Sequence, residues 1–327
     1  MNKKNKKSPI IPIIAVVLVA VLMFSGFQLL MAVFSPANTE ENKITTTKTI
    51  TRNGKEYYPR QDITVFMLLG IDQQGPVEAS DSYNNDGEAD MVALAIFDES
   101  DKTFNVLVLN RDTMMNVPIL GIGGKPAGTA FAQLALSHTY GTGLEDSCEN
   151  TRTAVSDFLY GLNIDYYISM NMDAIAILND AVGGVTVNVT DDFSAVDPSI
   201  TKGEVTLKGD QALTFIQTRK DVGNQMNISR MDRHKEYMNG FIKAFNNQLK
   251  NNGDSFVYET YTAIDKYMVT DTSVNTMSNL INKYSEYSLK DIITPEGENV
   301  TGADYMEFYA DENKLDQMIL NLFYAEK

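Results

Sequence analysis

The sequence predicts an α/β protein, a sheet covered by helices on both faces and preceded by one N-terminal transmembrane helix. Three observations carry this. Apolar runs at Thr64–Ile71, Met91–Phe97 and Phe104–Leu109 are short and continuous, as strands buried on both faces are. From residue 151 onward, segments with apolar residues at helical spacing alternate with further strands, the pattern that layers helices on a sheet. An apolar stretch, Ile10–Phe34, is broken only by Pro12, Ser25, Gly26 and Gln28.

That stretch comes first in the chain. Lys3, Lys4, Lys6 and Lys7 precede it and no Asp or Glu appears before Glu40. At about 1.5 Å per residue it can cross a hydrocarbon core of roughly 30 Å. A cleaved leader has a shorter apolar region and a small-residue cleavage site, which Ser35-Pro36-Ala37 matches poorly. The expected organisation is a cytoplasmic tail over 1–9, a membrane anchor over 10–34, a juxtamembrane spacer over 35–60 and an extracellular domain over 61–327.

The chain carries −16, and the four N-terminal lysines meet no acid, so the part beyond Phe34 is near −20. Such a surface repels nucleic acid. The one cysteine, Cys148, excludes an intramolecular disulfide, and with His138 and His234 as the only histidines, zinc sites of Cys or His type are excluded as well. Cys148 sits among carboxylates that raise a thiol pKa, which argues against a nucleophile. Roughly 270 residues follow residue 60, enough to bury a core without cross-links.

Within the spacer, Thr45–Arg52 reads as a short strand. The strand Thr64–Ile71 ends at Asp72, and Gln73–Ala89, with Gly75, Pro76, Asn84, Asn85 and Gly87, is a loop. Asp90 opens the next strand. The third strand runs into Asn110, Arg111, Asp112 and Thr113, and the carboxyl ends of strands are where open α/β sheets place ligands. A Gly-rich loop at Gly121, Gly123, Gly124 and Gly128 leads to a helical segment at Phe131–His138. Thr151–Tyr160 is a helix, Ile164–Met170 a strand, Asp173–Val182 a helix stopped by Gly183-Gly184, and Val185–Val189 a strand. Tyr166, Tyr167 and Met67 read as core rather than as a ligand cage.

A basic constellation follows. Gly209–Lys220 is helical and ends at Arg219, a polar loop covers Asp221–Asn227, and a long helix runs from Ile228 to about Lys250. Arg230, Arg233 and His234 share one face of its first turns, where the helix dipole disfavours cations. A bound anion would offset them, and so would surface ion pairs of Arg230 with Asp232 or of Arg233 with Glu236. Arg219, at a helix C-terminus, has a dipole role on its own. In the remaining third, Ser255–Thr270, Val274–Tyr284 and Lys314–Tyr324 read as helices and Tyr305–Tyr309 as a last strand.

Several segments, in this order, resemble the LytR-CpsA-Psr proteins: LLGID, Asp90 before an apolar strand, VLNRDT, LALSHTYG, IDYYISMN, AVGGVTVNV, GDQALTFIQTR and ISRMDRH. The resemblance implies an α/β/α sandwich around a central mixed sheet, anchored outside the membrane of a mostly Gram-positive cell. It implies a phosphotransferase that moves a glycopolymer, such as teichoic acid or capsule, from undecaprenyl pyrophosphate to a peptidoglycan hydroxyl. Arginines suit that substrate because they hold phosphate by charge-assisted bonds, and Mg2+ because it prefers carboxylate and phosphate oxygens. Carried over, Arg111, Arg219, Arg230 and Arg233 bind pyrophosphate, with Gln217 and His234 at adjoining positions of that site. Asp112 orients Arg111, and Asp72 and Asp90 hold Mg2+, either one also able to take the proton of the attacking hydroxyl.

The chain departs from the family pattern at several of these positions. Gln217 and Glu88 stand where arginines are expected, Gln133 where a lysine often sits, His234 where a glutamine follows, and Asn110 where the family has proline. These replacements keep two other readings in view. One is a membrane-anchored lipid-pyrophosphate-binding or regulatory protein without turnover; the other is a polyprenyl-pyrophosphate hydrolase, with water as acceptor.

Overall fold

The computed structural model describes residues 49–302 and 305–327 apart from 219–221 and 223–226; the side chains of 122, 217, 227–232, 234, 235 and 238 also lie outside the description. The expected anchor over 10–34, Arg219, and the side chains of Gln217, Arg230 and His234 are therefore outside the described residues. Among the described residues no helix is long and apolar enough to cross a membrane.

Strands β1 (Ile50–Arg52) and β2 (Lys55–Pro59) form a hairpin. Its turn residues, Asn53 and Gly54, have φ of 52° and 77°, the left-handed pair that a two-residue hairpin loop favours. Next come β3 (Ile63–Ile71), β4 (Ala89–Asp98) and β5 (Thr103–Leu109), then a second hairpin of β6 (Met114–Leu120) and β7 (Pro126–Gln133). Helix α1 (Glu145–Phe158), β8 (Tyr166–Asn171), α2 (Asp173–Ala181), β9 (Val185–Val189) and β10 (Gly203–Leu207) follow. After α3 (Asp210–Gln217) comes α4 (Asn227–Ile264), which breaks at Gly253, where φ is 54° and ψ −138°. The chain closes with β11 (Met268–Thr270), α5 (Val274–Tyr284), β12 (Ser288–Ile293), β13 (Gly297–Thr301), β14 (Met306–Ala310), α6 (Glu312–Phe323) and β15 (Tyr324–Glu326).

The central sheet has six strands in the order β11-β8-β3-β4-β5-β12. It is mixed: β3, β4 and β5 form an antiparallel meander, whereas β8 runs parallel to β3 and β12 parallel to β5. Successive residues of a strand point to opposite faces, and each face of this sheet meets its own layer. Phe66, Leu68, Ala93, Ala95, Phe104 and Val106 pack against residues of α2 to α5, including Leu178, Phe215, Phe241 and Leu280. Val65, Met67, Leu69, Leu94, Leu107 and Leu109 pack against α1, α6 and the β6–β7 hairpin through Val155, Ile319 and Val117. All nine residues of β3 are buried, which is why its sequence shows no polar alternation. Each large apolar side chain enclosed this way contributes about 1.5–3 kcal/mol. Tyr167 and Met67 are core residues, as expected, whereas Tyr166 at the start of β8 is only partly buried against the core.

Four expectations change. Part of the stretch read as spacer is folded: β2 lies between β1 and β15, so residues 50–59 are tied to the C-terminus of the domain. The strand read over Thr45–Arg52 begins at Ile50 within the described residues. The segment Phe131–His138 is not a helix; its first part completes β7 and only Leu134–Ser137 turns, as a 3-10 helix. The helix read over Ser255–Thr270 ends at Ile264, and its last residues form β11, paired with β8.

Candidate functional site

The site is set by where three strands stop pairing. In the β4–β5 ladder Val92 faces Leu109, so continuing the antiparallel register by two residues places Asp90 opposite Arg111. On the other side of β4, Gly70 faces Met91 but Ile71 faces Ala89. Asp90 is thus the extra residue of a bulge, a device that re-aims a side chain at the end of a sheet. Asp72, one residue beyond β3, donates its backbone N–H to the Glu88 carbonyl at 3.1 Å.

These placements gather the charges. The Arg111 guanidinium is ion-paired with Asp90 and with Glu88, and its Nε lies 3.7 Å from Asp112 Oδ1. The Arg111 side chain is only 17% exposed and that of Glu88 is 42% exposed, so Arg111 is the fixed member and Glu88 the one at the surface. Arg111 Nε is buried without a hydrogen-bond partner among the described residues. The Asp72 carboxylate is exposed and has no ion pair among them. Burial raises the Asp112 pKa, with Arg111 opposing and Glu88 adding to the shift.

The turn after β5 explains how Arg111 is presented. Asn110 Oδ1 accepts the Asp112 N–H at 3.0 Å, and its carbonyl accepts Thr113 N–H at 3.0 Å and Thr113 Oγ1–H at 2.6 Å. Here an Asx turn does locally what a proline does by restricting φ. Gln133 Nε2 donates to Asp112 Oδ1 at 2.9 Å and to the Met306 carbonyl at 2.7 Å. At a position where the resemblance leads a lysine to be expected, a neutral amide therefore braces Asp112 against β14.

Two positioning residues were not singled out from the sequence. Asn85 Nδ2 reaches the carbonyls of His138, Thr139 and Gly141 and Ser147 Oγ at 2.9–3.2 Å, while its Oδ1 accepts the Gly87 N–H at 2.7 Å. Since Gly87 O must accept, His138 Nδ1 donates to it, at 2.8 Å. The strand start that carries Glu88 and Asp90 is thereby pinned to buried groups from the 134–147 region. Burial pushes the His138 pKa down to about 4, so the ring is neutral at ordinary pH. His138 stood in the LALSHTYG segment, but its role needs the fold to be seen. Cys148 is fully buried and, mainly through that burial, its thiol pKa is raised, which rules against a nucleophile.

Arg233 is engaged elsewhere. It is 4% exposed, ion-paired with Asp191 at 2.5 Å, and donates to the carbonyls of Phe215 at 3.0 Å and Thr218 at 2.5 Å. The Phe193 ring lies 5.5 Å from its guanidinium carbon. It thus ties the C-terminus of α3 to α4; Glu236, weighed as its partner, instead accepts the Asn188 N–H at 2.8 Å.

Among the described residues no group of three His, Cys, Asp or Glu side chains forms a closed metal site. The donor set fits an open one. Magnesium commonly takes one or two carboxylates and fills its shell with water and phosphate oxygens; Asp72 is unpaired among the described residues, and Asp90 Oδ1, though ion-paired, accepts no hydrogen bond.

The described residues form a layered α/β domain with a central mixed sheet and an arginine–carboxylate cluster at its strand ends, and the sequence places the chain more narrowly. A profile of the LytR_cpsA_psr family matches residues 29–323, and the chain belongs to that family. A relative from Oceanobacillus iheyensis, named polyisoprenyl-teichoic acid–peptidoglycan teichoic acid transferase TagU, is 27% identical over 315 residues, covering 93% of this chain and 90% of the relative. The protein of the same name from Enterococcus faecalis is 29% identical over 218 residues, covering 67% and 64%. Among solved structures, the gbs0355 protein of Streptococcus agalactiae shares the fold with a TM-score of 0.61 at 23% identity, covering 80% of this chain and 86% of that one. A structure of TagT bound to LIIa-WTA aligns with a TM-score of 0.57 at 21% identity, covering 80% and 90%.

Proposed function

We propose that this protein is a membrane-anchored extracellular phosphotransferase that moves a glycopolymer of teichoic acid or capsule type from a polyprenyl pyrophosphate to a peptidoglycan hydroxyl. The observation that carries the reading is Arg111, held at the end of β5 between Asp90 and Glu88, in a chain whose relatives are named for this transfer. The apolar stretch over 10–34 would supply the anchor and hold the domain near its lipid substrate.

The acceptor oxygen attacks the phosphorus that bears the sugar. A new P–O bond forms, the P–O bond to the lipid phosphate breaks, and the electron pair leaves with the polyprenyl monophosphate. The hydroxyl proton passes to Asp90 or Asp72. Arg111 stabilises the charge that grows on the leaving phosphate, and Asp112, braced by Gln133, keeps the guanidinium in place. Arg219, Arg230, Gln217 and His234 supply further pyrophosphate contacts in this reading, whereas Arg233 acts through the packing of α3 on α4. Magnesium held by Asp72 and Asp90 would neutralise the two phosphates.

One observation favours a second reading, binding without turnover: Glu88 and Gln133 stand where cations are expected, and both contact the Arg111–Asp112 pair. The two separate in one experiment. Full-length protein is purified in detergent, its bound lipids are read by mass spectrometry, and transfer to peptidoglycan is assayed in parallel. Transfer requires lipid that is lost in Arg111→Ala together with product that is lost in Asp90→Asn; bound lipid with no product marks a binding protein.

A further inference from the structure

The Glu88 carboxylate sits where an anionic ligand of Arg111 would sit. It is bound to the guanidinium through Arg111 Nη2, while Asp90 takes Nη1, so both terminal nitrogens are in use. The backbone of Glu88 is immobilised: its carbonyl accepts N–H groups from Asp72 at 3.1 Å and Asp90 at 3.0 Å. The residue before it, Gly87, is fixed by Asn85 and His138. A Cβ at Gly87 would lie 2.8 Å from Asn85 Oδ1 and 3.0 Å from Ile71 Cγ2, so nothing larger than glycine fits there without movement. The Glu88 side chain, by contrast, is 42% exposed and can turn into solvent without moving the strand.

We propose that Glu88 is an internal occupant of the Arg111 phosphate site, displaced when a pyrophosphate group binds, and that it makes this binding depend on a divalent cation. The inference rests on the reading of Arg111 as a phosphate ligand. Its electrostatics follow from the cluster. Once Glu88 is displaced, the incoming phosphates meet Asp72, Asp90, Asp112 and the freed Glu88, with Arg111 as the cation among these described groups. Like charges that close repel strongly. A divalent cation bound with the pyrophosphate removes that repulsion by taking carboxylate and phosphate oxygens together.

The test is calorimetric titration of the full-length protein in detergent, with inorganic pyrophosphate and in parallel a short-chain prenyl pyrophosphate. Each is run with a chelator and then with Mg2+, for the native protein, Glu88→Gln and Arg111→Ala. Glu88→Gln is expected to bind both probes at least about tenfold more tightly than the native protein in chelator, the scale of one removed like charge, and to gain less from Mg2+. Tighter binding of the prenyl probe identifies the lipid as the ligand; equal binding identifies pyrophosphate alone, and either agrees with the displacement. Equal affinities of native protein and Glu88→Gln in chelator, with Arg111→Ala still abolishing binding in Mg2+, would overturn the role of Glu88 and leave the site standing. Binding unaffected by Arg111→Ala, or absent from every variant, would overturn the site and the displacement together.

Discussion

Asp90 and Arg111 lie opposite each other just beyond the last pair of the β4–β5 ladder, and the bulge at Asp90 is part of the geometry that lets the two ion-pair. The consequence is a cation fixed at a strand end by a hydrogen-bonded turn and by its ion pairs. A group held this way loses little freedom when it binds a phosphate, which is the advantage of preorganisation.

Asn85 should be as important to this geometry as the charged residues. Replacing it by alanine removes the donor shared by His138, Thr139, Gly141 and Ser147 and the acceptor of Gly87 N–H. Leaving such buried groups unpaired costs about 1–3 kcal/mol. Asn85→Ala is expected to lower the urea midpoint accordingly and to weaken pyrophosphate binding, although no charge is changed. An unaltered midpoint would show that water or movement replaces the amide.

Arg233 is expected to behave as a structural arginine. Its removal leaves Asp191 without its cation and two carbonyls, of Phe215 and Thr218, without their donor. Breaking a buried ion pair from one side costs about 3–5 kcal/mol, so Arg233→Ala should lower Tm by several degrees. A direct phosphate ligand would instead lose affinity with Tm unchanged, and thermal denaturation read beside titration tells the two apart.

His138 gives the fold an acid-sensitive element. Its pKa is about 4 in the folded protein against 6.5 for the ordinary side chain, so unfolding takes up a proton between those values. The stabilisation is complete above about pH 6.5 and is lost as pH falls from there towards 4, about 3 kcal/mol in all. Denaturant unfolding at several pH values in this window should show that loss. His138→Gln, which cannot titrate, should flatten the slope; an unchanged slope would assign it to the carboxylates.

The strands that build the site were legible because β3, β4 and β5 are buried on both faces, and a short continuous apolar run that stops at a charged residue marks the end of such a strand. The β6–β7 hairpin was not. Pro126–Gln133 is mostly exposed on a peripheral ribbon, so it lacks the apolar alternation that marks a half-buried strand. Asn53-Gly54, a hairpin turn with left-handed φ at both residues, was a local signal for β1 and β2 that the polar composition of the presumed spacer obscured. In the site, Arg111 and Asp90 could be paired by strand ends alone. Glu88 stood out only as a departure from the family pattern, and its contact with Arg111 required the register of β4 on β5. The Asn85–His138 bracket joins residues 53 positions apart, and no spacing rule reaches that far.

The central claim is that Arg111 binds the pyrophosphate of a polyprenyl-linked donor. It is tested most directly by measuring the affinity of the full-length protein for a short-chain prenyl pyrophosphate in Mg2+, before and after Arg111→Ala. Losing a charge-assisted contact in a largely buried site should cost about 2–5 kcal/mol, thus at least a tenfold weakening, with the far-ultraviolet spectrum unchanged. An Arg111→Ala protein that is folded and binds the probe as tightly as the native chain would contradict it.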